Sequence, residues 1–574
     1  TTRAWLRRTL VVAFILTASS ACASDKTTGT AGYTGPGQTV TGNYLAGRFA
    51  QARKDVPGAT KFLGAVLKMT PTSPEVLRRI FILMVAEGRM KEATGLAARL
   101  LDVNSKAPIA NLLLVAAAIK DGRYEEALER LKTLPDNGLN TLMSPIVKSW
   151  ALFGLGKGAD VALKALEPLL KRNGAEPLYR LHGALILELS GRTKEAETFF
   201  IKAVEIQGGL SFRLAELFGG FYERSGQIKK AQALYRQFSQ DNPGSQLRAH
   251  RAARRKIEPV PPRDVVDTVT GVAEGLFGLA SSLRQQNARE TALVFGRIGL
   301  YLRPDFPVMQ ILIADILDST GRLESANKIY LSIRTSSLFS WQGRLRVALN
   351  LDDMGRTDEA VARLRAMAVE RPKDPNILIR LGDILRSRER FKEAIEVYNQ
   401  AESRIGKPSR RYWNLFYARG ISLEQTRQWA KAEADFLESL KIRPDQPFVL
   451  NYLGYSWIDQ GMNLDRAMKM IEKAVSLRPN DGYIVDSLGW AHYRLKSYDL
   501  AVSELERAVE LRPEDSVIND HLGDAYWRVG RRNEARFQWR RSLGLKPDPE
   551  RVGAIESKID KGLPKTKAAA NGDG

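Results

Sequence analysis

One cysteine, Cys22, and four histidines are all the thiol and imidazole that 574 residues supply. A disulfide framework within the chain is thereby excluded, and no cysteine pair exists to build a zinc site. His182, His250, His492 and His521 show no H-E-x-x-H spacing, and no G-x-S-x-G elbow occurs. The G-L-G-K-G stretch at 154–158 lacks the full phosphate-loop spacing. Acids and hydroxyls are plentiful but form no catalytic constellation, so the chain is expected to be no enzyme, with no cofactor, no metal and no small-molecule substrate. No stretch approaches the roughly 18 uninterrupted apolar residues of a membrane-spanning helix, so no integral span is expected.

What is present is ordinary for a folded protein: 44% apolar and 26% charged residues, enough for a sizeable core. The first residues, TTRAWLRRTLVVAFILTASSACASD, set Arg3, Arg7 and Arg8 before an apolar run from Leu10 to Leu16, followed by small residues to Ala23. This is the layout of a secretory signal. Cys22, after Ala18-Ser19-Ser20-Ala21, resembles the lipid-modified cysteine of a bacterial lipobox, with Ser19 where such motifs usually place leucine. Cleavage after Ala21-Cys22-Ala23 as an A-x-A site is the competing reading, and both stay open. The expected location is the periplasm, as an outer-membrane lipoprotein if Cys22 carries lipid.

Alanines then recur at Ala59, Ala93, Ala127, Ala162, Ala196, Ala231, Ala292, Ala326, Ala360, Ala394, Ala432, Ala467, Ala501 and Ala535, nearly always 34 or 35 residues apart. The exceptions are a 38-residue step before Ala432 and a 61-residue step between Ala231 and Ala292. Twelve residues before them stand small residues, among them Gly47, Ala184, Gly219, Gly382, Gly420, Gly489 and Gly523, which let two helices cross closely. Five before come Gly88, Gly122, Gly191, Gly226, Gly321, Gly355 and Gly530, placed to end a first helix in the left-handed conformation. Twelve after come Pro71, Pro243, Pro304, Pro372, Pro444, Pro479, Pro513 and Pro547, which cannot continue a second helix.

Markers that share one register over about 500 residues describe a repeated helical hairpin. The pattern is plainest in FVLNYLGYSWIDQGMNLDRAMKMIEKAVSLRP, YIVDSLGWAHYRLKSYDLAVSELERAVELRP and VINDHLGDAYWRVGRRNEARFQWRRSLGLKP. It resembles the tetratricopeptide repeat over roughly residues 43 to 547, degenerate near 70 to 175, where Phe81, Val115 and Trp150 take the small position. The expected fold is all-α: an α-solenoid, a right-handed superhelix of about fourteen hairpins in two arrays. The expected organisation is a signal at 1–23, a flexible linker at 24–42, an N-terminal array at 43–243, a basic, proline-rich joint at 244–268, a C-terminal array at 269–547, a cap helix at 548–563 and a disordered tail at 564–574.

In the family it resembles, the first helices line a concave groove, and fixed positions face bound peptide. Carried onto the last three units, these are Phe448, Asn451, Tyr455, Ile458 and Asp459; Tyr483, Asp486, Trp490, Tyr493 and Arg494; and Val517, Asp520, Asp524, Trp527 and Arg528. Such a groove suits an extended peptide or a partner helix. Trp490 and Tyr493 could equally be packing between hairpins, and Trp457 and Trp539 fall at core positions.

Net charge is +22, from 87 basic and 65 acidic residues. The excess concentrates at Arg248, Arg251, Arg254, Arg255 and Lys256 in the joint, and at Arg528, Arg531, Arg532, Arg536, Arg540 and Arg541 in the last hairpin. Such patches attract polyanions; behind an export signal anionic lipid headgroups, lipopolysaccharide or acidic protein surfaces are expected rather than nucleic acid, and a solvated basic face that only keeps the protein soluble is the competing reading. The leading expectation is a protein-protein interaction scaffold in the bacterial envelope, touching membrane only through a lipid anchor. The alternative is a regulatory subunit of an envelope enzyme or of glycan synthesis or export.

Overall fold

A residue that must sit where two helices cross has no room for a side chain, and the fourteen marker alanines, from Ala59 to Ala535, are all completely shielded from solvent. The computed structural model describes residues 35–564 apart from 54, 135, 259, 407 and 408. Among these the chain forms thirty α-helices, from Val40–Ala52 to Pro549–Lys561, and no strand. The signal segment with Cys22, most of the linker and the 565–574 tail lie outside the described residues. The last residues assigned to the linker are helical, because the Thr39 side chain accepts from the Gly42 amide and caps Val40–Ala52.

Within a hairpin the glycine of the first helix is a notch for a large side chain of the second. A Cβ added at Gly382, Gly420, Gly489 or Gly523 would land 2.5–2.6 Å from Tyr398, Phe436, Leu505 or Trp539, each sixteen residues further on. The turn that follows needs a left-handed residue, and Gly88, Gly122, Gly191, Gly226, Gly321, Gly355 and Gly530 take φ of 74–86°. Asn287, Glu389, Arg427 and Lys496 hold the same register position at φ 59–65°, so the turn is imposed even where no glycine eases it. Each second helix then packs on the first helix of the next hairpin, burying the apolar faces that one hairpin leaves bare.

Two compact units divide the chain, one reaching residue 356 and the other beginning at residue 357. Residues 244–268, expected as a joint between arrays, lie inside the first unit. They include the helix Leu247–Arg255, in which Leu247 and Arg251 are buried. The physical reason lies in the next hairpin, which folds onto the array before it. The helix Thr268–Gln285 packs on Asn140–Gly154 and Glu176–Leu189, and Arg289–Leu302 packs on Pro74–Glu87 and Pro108–Lys120. These are first helices of four earlier hairpins, so a segment of the chain itself covers that face of the array.

A stripe of glycines makes that approach possible. Gly271 lies against Trp150, where an added Cβ would come within 2.3 Å of the indole; Gly275 lies against Ile146 and His182; Gly278 faces Leu178. Trp150, too large for its place in the repeat, thus fills a space that a glycine vacates. Thr268 Oγ1 donates to the Trp150 carbonyl at 3.0 Å, Arg297 Nε to the Ala86 carbonyl at 3.0 Å, and Lys120 Nζ to the Tyr301 carbonyl at 2.7 Å.

His182 is fully buried at this contact, and its Nδ1 accepts from Trp150 Nε1 at 3.0 Å, which leaves the proton on Nε2. Burial lowers its pKa to about 4 from an ordinary 6.5. Between those values the unfolded chain binds a proton that the folded chain refuses. Stability is therefore fully present above pH 6.5 and lost as pH falls towards 4, by about 3 kcal/mol in all. Denaturant titrations across that window should show a steeper pH slope for the wild type than for His182→Gln. Equal slopes would sink the assignment.

Candidate functional site

In the second unit the first helices Pro447–Gln460, Gly482–Arg494 and Ser516–Arg528 stand side by side, and hairpin steps of 35 and 34 residues bring residues 35 apart into contact. Three links result. Arg494 pairs with the Asp459 carboxylate and donates through Nη2 to the Asp459 carbonyl at 3.0 Å. Arg528 Nε donates to the Tyr493 hydroxyl at 3.3 Å. The His521 ring Nδ1 meets Asp486 Oδ1 at 2.8 Å, both residues being buried. Burial, and after it the Asp524 carboxylate, raise the Tyr493 pKa, so its hydroxyl stays neutral at ordinary pH.

Trp490 is half-buried among these links. Its ring stacks on Tyr493, with centroids 4.7 Å apart at 12°, and on His521, 4.0 Å apart at 16°. Flat aromatic area flanked by internally paired ions can accept a ligand without stripping water from an unpaired charge.

The expected cap helix is present as Pro549–Lys561, with Ile555 buried and Ile559 packed on the same cluster. It does more than solvate the end. Arg551 donates to Asp520 at 2.7 Å, and Lys558 bridges Asp520 and Asp524 at 2.8 Å each. Burial disfavours the Lys558 charge, yet the two carboxylates more than offset it and hold the ammonium above its ordinary pKa. Beyond the helix, Trp527 Nε1 donates to the Leu563 carbonyl at 3.2 Å and Arg528 Nη1 to the Pro564 carbonyl at 2.7 Å.

Models of the tetratricopeptide repeat match residues 84–142, 345–409 and 486–515. The chain contains tetratricopeptide repeats. Among curated proteins, a TPR repeat-containing protein of Pseudomonas aeruginosa is 31% identical over 142 residues. That match is 24% of this chain and 23% of the relative, so the chain spans under a quarter of that protein's length. Among solved structures, an APC/C hetero-tetramer of Cut9 and Hcn1 aligns with 91% of this chain and 96% of its own at 16% identity and a TM-score of 0.37. Yeast Tom70 aligns with 91% and 94% at 14% identity and a TM-score of 0.35.

Tetratricopeptide-repeat proteins are in general non-catalytic scaffolds for protein-protein interaction. Most of the groove positions carried over from that family fall into three groups. Asp459, Trp490, Tyr493 and Arg494 are half-buried and mutually connected, as described above. Asn451, Tyr455 and Asp486 are buried between hairpins, where side chains of neighbouring repeats enclose them. Asp520 and Asp524 are buried beneath the cap helix, with Trp527 and Arg528 tied to the segment after it.

Phe448 and Tyr483, at the start of their helices, are covered by Arg478 and Arg512, whose guanidinium carbons lie 4.8 and 5.2 Å from the ring centroids. Arg443 stands likewise 5.5 Å from Trp413, so in these three repeats the arginine before the proline is a lid on its own hairpin. The signal for that, an R-P pair ending unit after unit, was visible in the sequence.

Several arginines of the two basic patches are engaged within the chain. Arg251 faces Glu216 and Glu223, Arg254 donates to Glu258 at 2.6 Å, and Arg531 pairs with Glu506 at 2.9 Å. Arg532 and Arg536 lie over Trp527, and Arg541 Nη2 donates to the Pro513 carbonyl at 3.0 Å.

Proposed function

We propose that this protein is a non-enzymatic scaffold of the bacterial envelope that grips a peptide segment or helix of a partner along the inner face of its second unit. The reading rests most on Trp490, half-exposed and stacked on Tyr493 and His521, in the helix that also carries Arg494 of the Asp459–Arg494 pair. Aromatic anchors rimmed by paired ions are the usual centre of a protein interface. The envelope setting rests on the export-like segment at 1–23 and on Cys22. In the first unit four of the corresponding helices are covered by the 268–302 hairpin, which favours the second unit for partner binding.

Trp490→Ala combined with Tyr493→Ala should weaken a captured partner about thirtyfold, the loss of one interface hot spot. Photo-crosslinking from these positions in living cells, followed by affinity measurement on the recovered protein, checks it. Recovery of no reproducible partner, or equal affinity for the double variant, would count against the groove.

A further inference from the structure

The first unit contains a cavity of about 200 Å³ walled by the Phe212–Arg224 and Leu247–Arg255 helices, the 262–264 segment, the start of Pro307–Ser319 and the 336–339 turn. Six arginines reach it, Arg213, Arg251, Arg254, Arg263, Arg303 and Arg334, against the carboxylates Glu216 and Asp264. Most of them are committed. Arg213 grips Glu274 through two hydrogen bonds of 2.9 and 2.7 Å, Arg254 donates to Glu258 at 2.6 Å, Arg263 stands 3.5 Å from Glu188, and Arg334 donates to Asp305 at 2.8 Å.

Arg251 and Arg303 are only partly committed: Arg251 Nη2 donates to the Glu216 carbonyl at 3.2 Å and Arg303 Nε to the Asp305 carbonyl at 3.2 Å. Buried Arg251 Nε and Arg303 Nη1 have no hydrogen-bond partner among the described residues, and the Arg251 side chain is only 7% exposed. Their ion pairs are stretched: Arg303 to Asp264 is 3.8 Å, Arg251 to Glu223 is 3.8 Å and to Glu216 4.0 Å, while Arg213 to Asp264 is also 3.8 Å. Such separations exceed an N–H···O hydrogen bond, so these carboxylates do not saturate the guanidinium donors. A buried charged donor left unmade is unfavourable, and a multi-oxygen anion is what planar guanidinium forks match. The positive end of the Pro307–Ser319 helix opens on the same space.

We propose that this cavity binds a phosphate-type oxyanion, held by Arg303 and Arg251 with Arg213 as a fixed wall. The two carboxylates decide which one. Phosphate still carrying a proton can donate to Asp264 or Glu216, whereas sulfate at neutral pH has no proton to give and meets them as like charge.

The test is isothermal titration of the full chain with inorganic phosphate, sulfate and glycerol phosphate in chloride buffer at fixed ionic strength. Saturable phosphate binding, at least about tenfold tighter than sulfate, is expected. Arg303→Gln should weaken phosphate about tenfold or more, the loss of one charge-assisted hydrogen bond. Ser336→Glu, at an exposed rim position, should also weaken it without touching the buried network. Glycerol phosphate bound as tightly as phosphate assigns the site to phosphorylated small molecules; its exclusion assigns the site to the free ion. No saturable phosphate binding, no preference over sulfate, or unchanged affinity in Ser336→Glu together with any folded Arg303 variant overturns the proposal.

Discussion

Glu274→Ala should destabilise the first unit by about 3–5 kcal/mol, the usual penalty for removing one partner of a buried ion pair. The Glu274 side chain is 1% exposed and accepts two hydrogen bonds from Arg213, itself 9% exposed. Alanine would leave that guanidinium buried with Glu216 and the distant Asp264 as its remaining acids. Because Glu274 lies on the 268–285 helix and Arg213 on the 212–224 helix, the pair fastens the covering hairpin to the array. Hydrogen exchange in 268–302 should therefore rise together with the loss in denaturant stability, read by probes specific to this unit since a two-unit chain is not two-state. Replacing both residues, Arg213→Met with Glu274→Leu, should recover most of the loss. A change below about 1 kcal/mol in the single variant would mean that the hairpin docks without this pair.

Trp539→Ala should cost the second unit a similar amount, about 3–5 kcal/mol. Trp539 is wholly buried in the notch at Gly523, lies 5.5 Å from Trp527, and donates to Asp524 at 2.9 Å. Its removal empties a cavity and takes a donor from a buried carboxylate that the cap helix also needs, so exchange in 549–561 should quicken. Trp490→Ala, at a half-buried ring, should shift stability by about 1 kcal/mol or less. Equal losses for the two tryptophans would erase the distinction between a core residue and a surface available to a partner.

The marker alanines, the glycine turns and the prolines could be read directly, because each obeys a constraint closed within one hairpin or between immediate neighbours. Gly523 and Trp539 are sixteen residues apart, and their fit repeats at Gly382, Gly420 and Gly489. Even Glu389 and Lys496, which carry no glycine signal, follow the register that the rest of the unit imposes. The aromatic and charged positions of the groove were also legible as positions, since steps of 34 or 35 residues align them.

Their availability was not legible. Asp520 and Asp524 read as groove acids until Arg551 and Lys558 close over them, and the arginines at 251 and 254 read as a free basic patch until Glu216, Glu223 and Glu258 come beside them. The sequence by itself determined the repeat, its register and the kind of face it presents, because those depend on short separations that recur. Only the tertiary structure decided that the 268–302 hairpin lies on the array before it, since Gly271 meets Trp150 and Arg297 meets Ala86 across more than a hundred residues that no period connects.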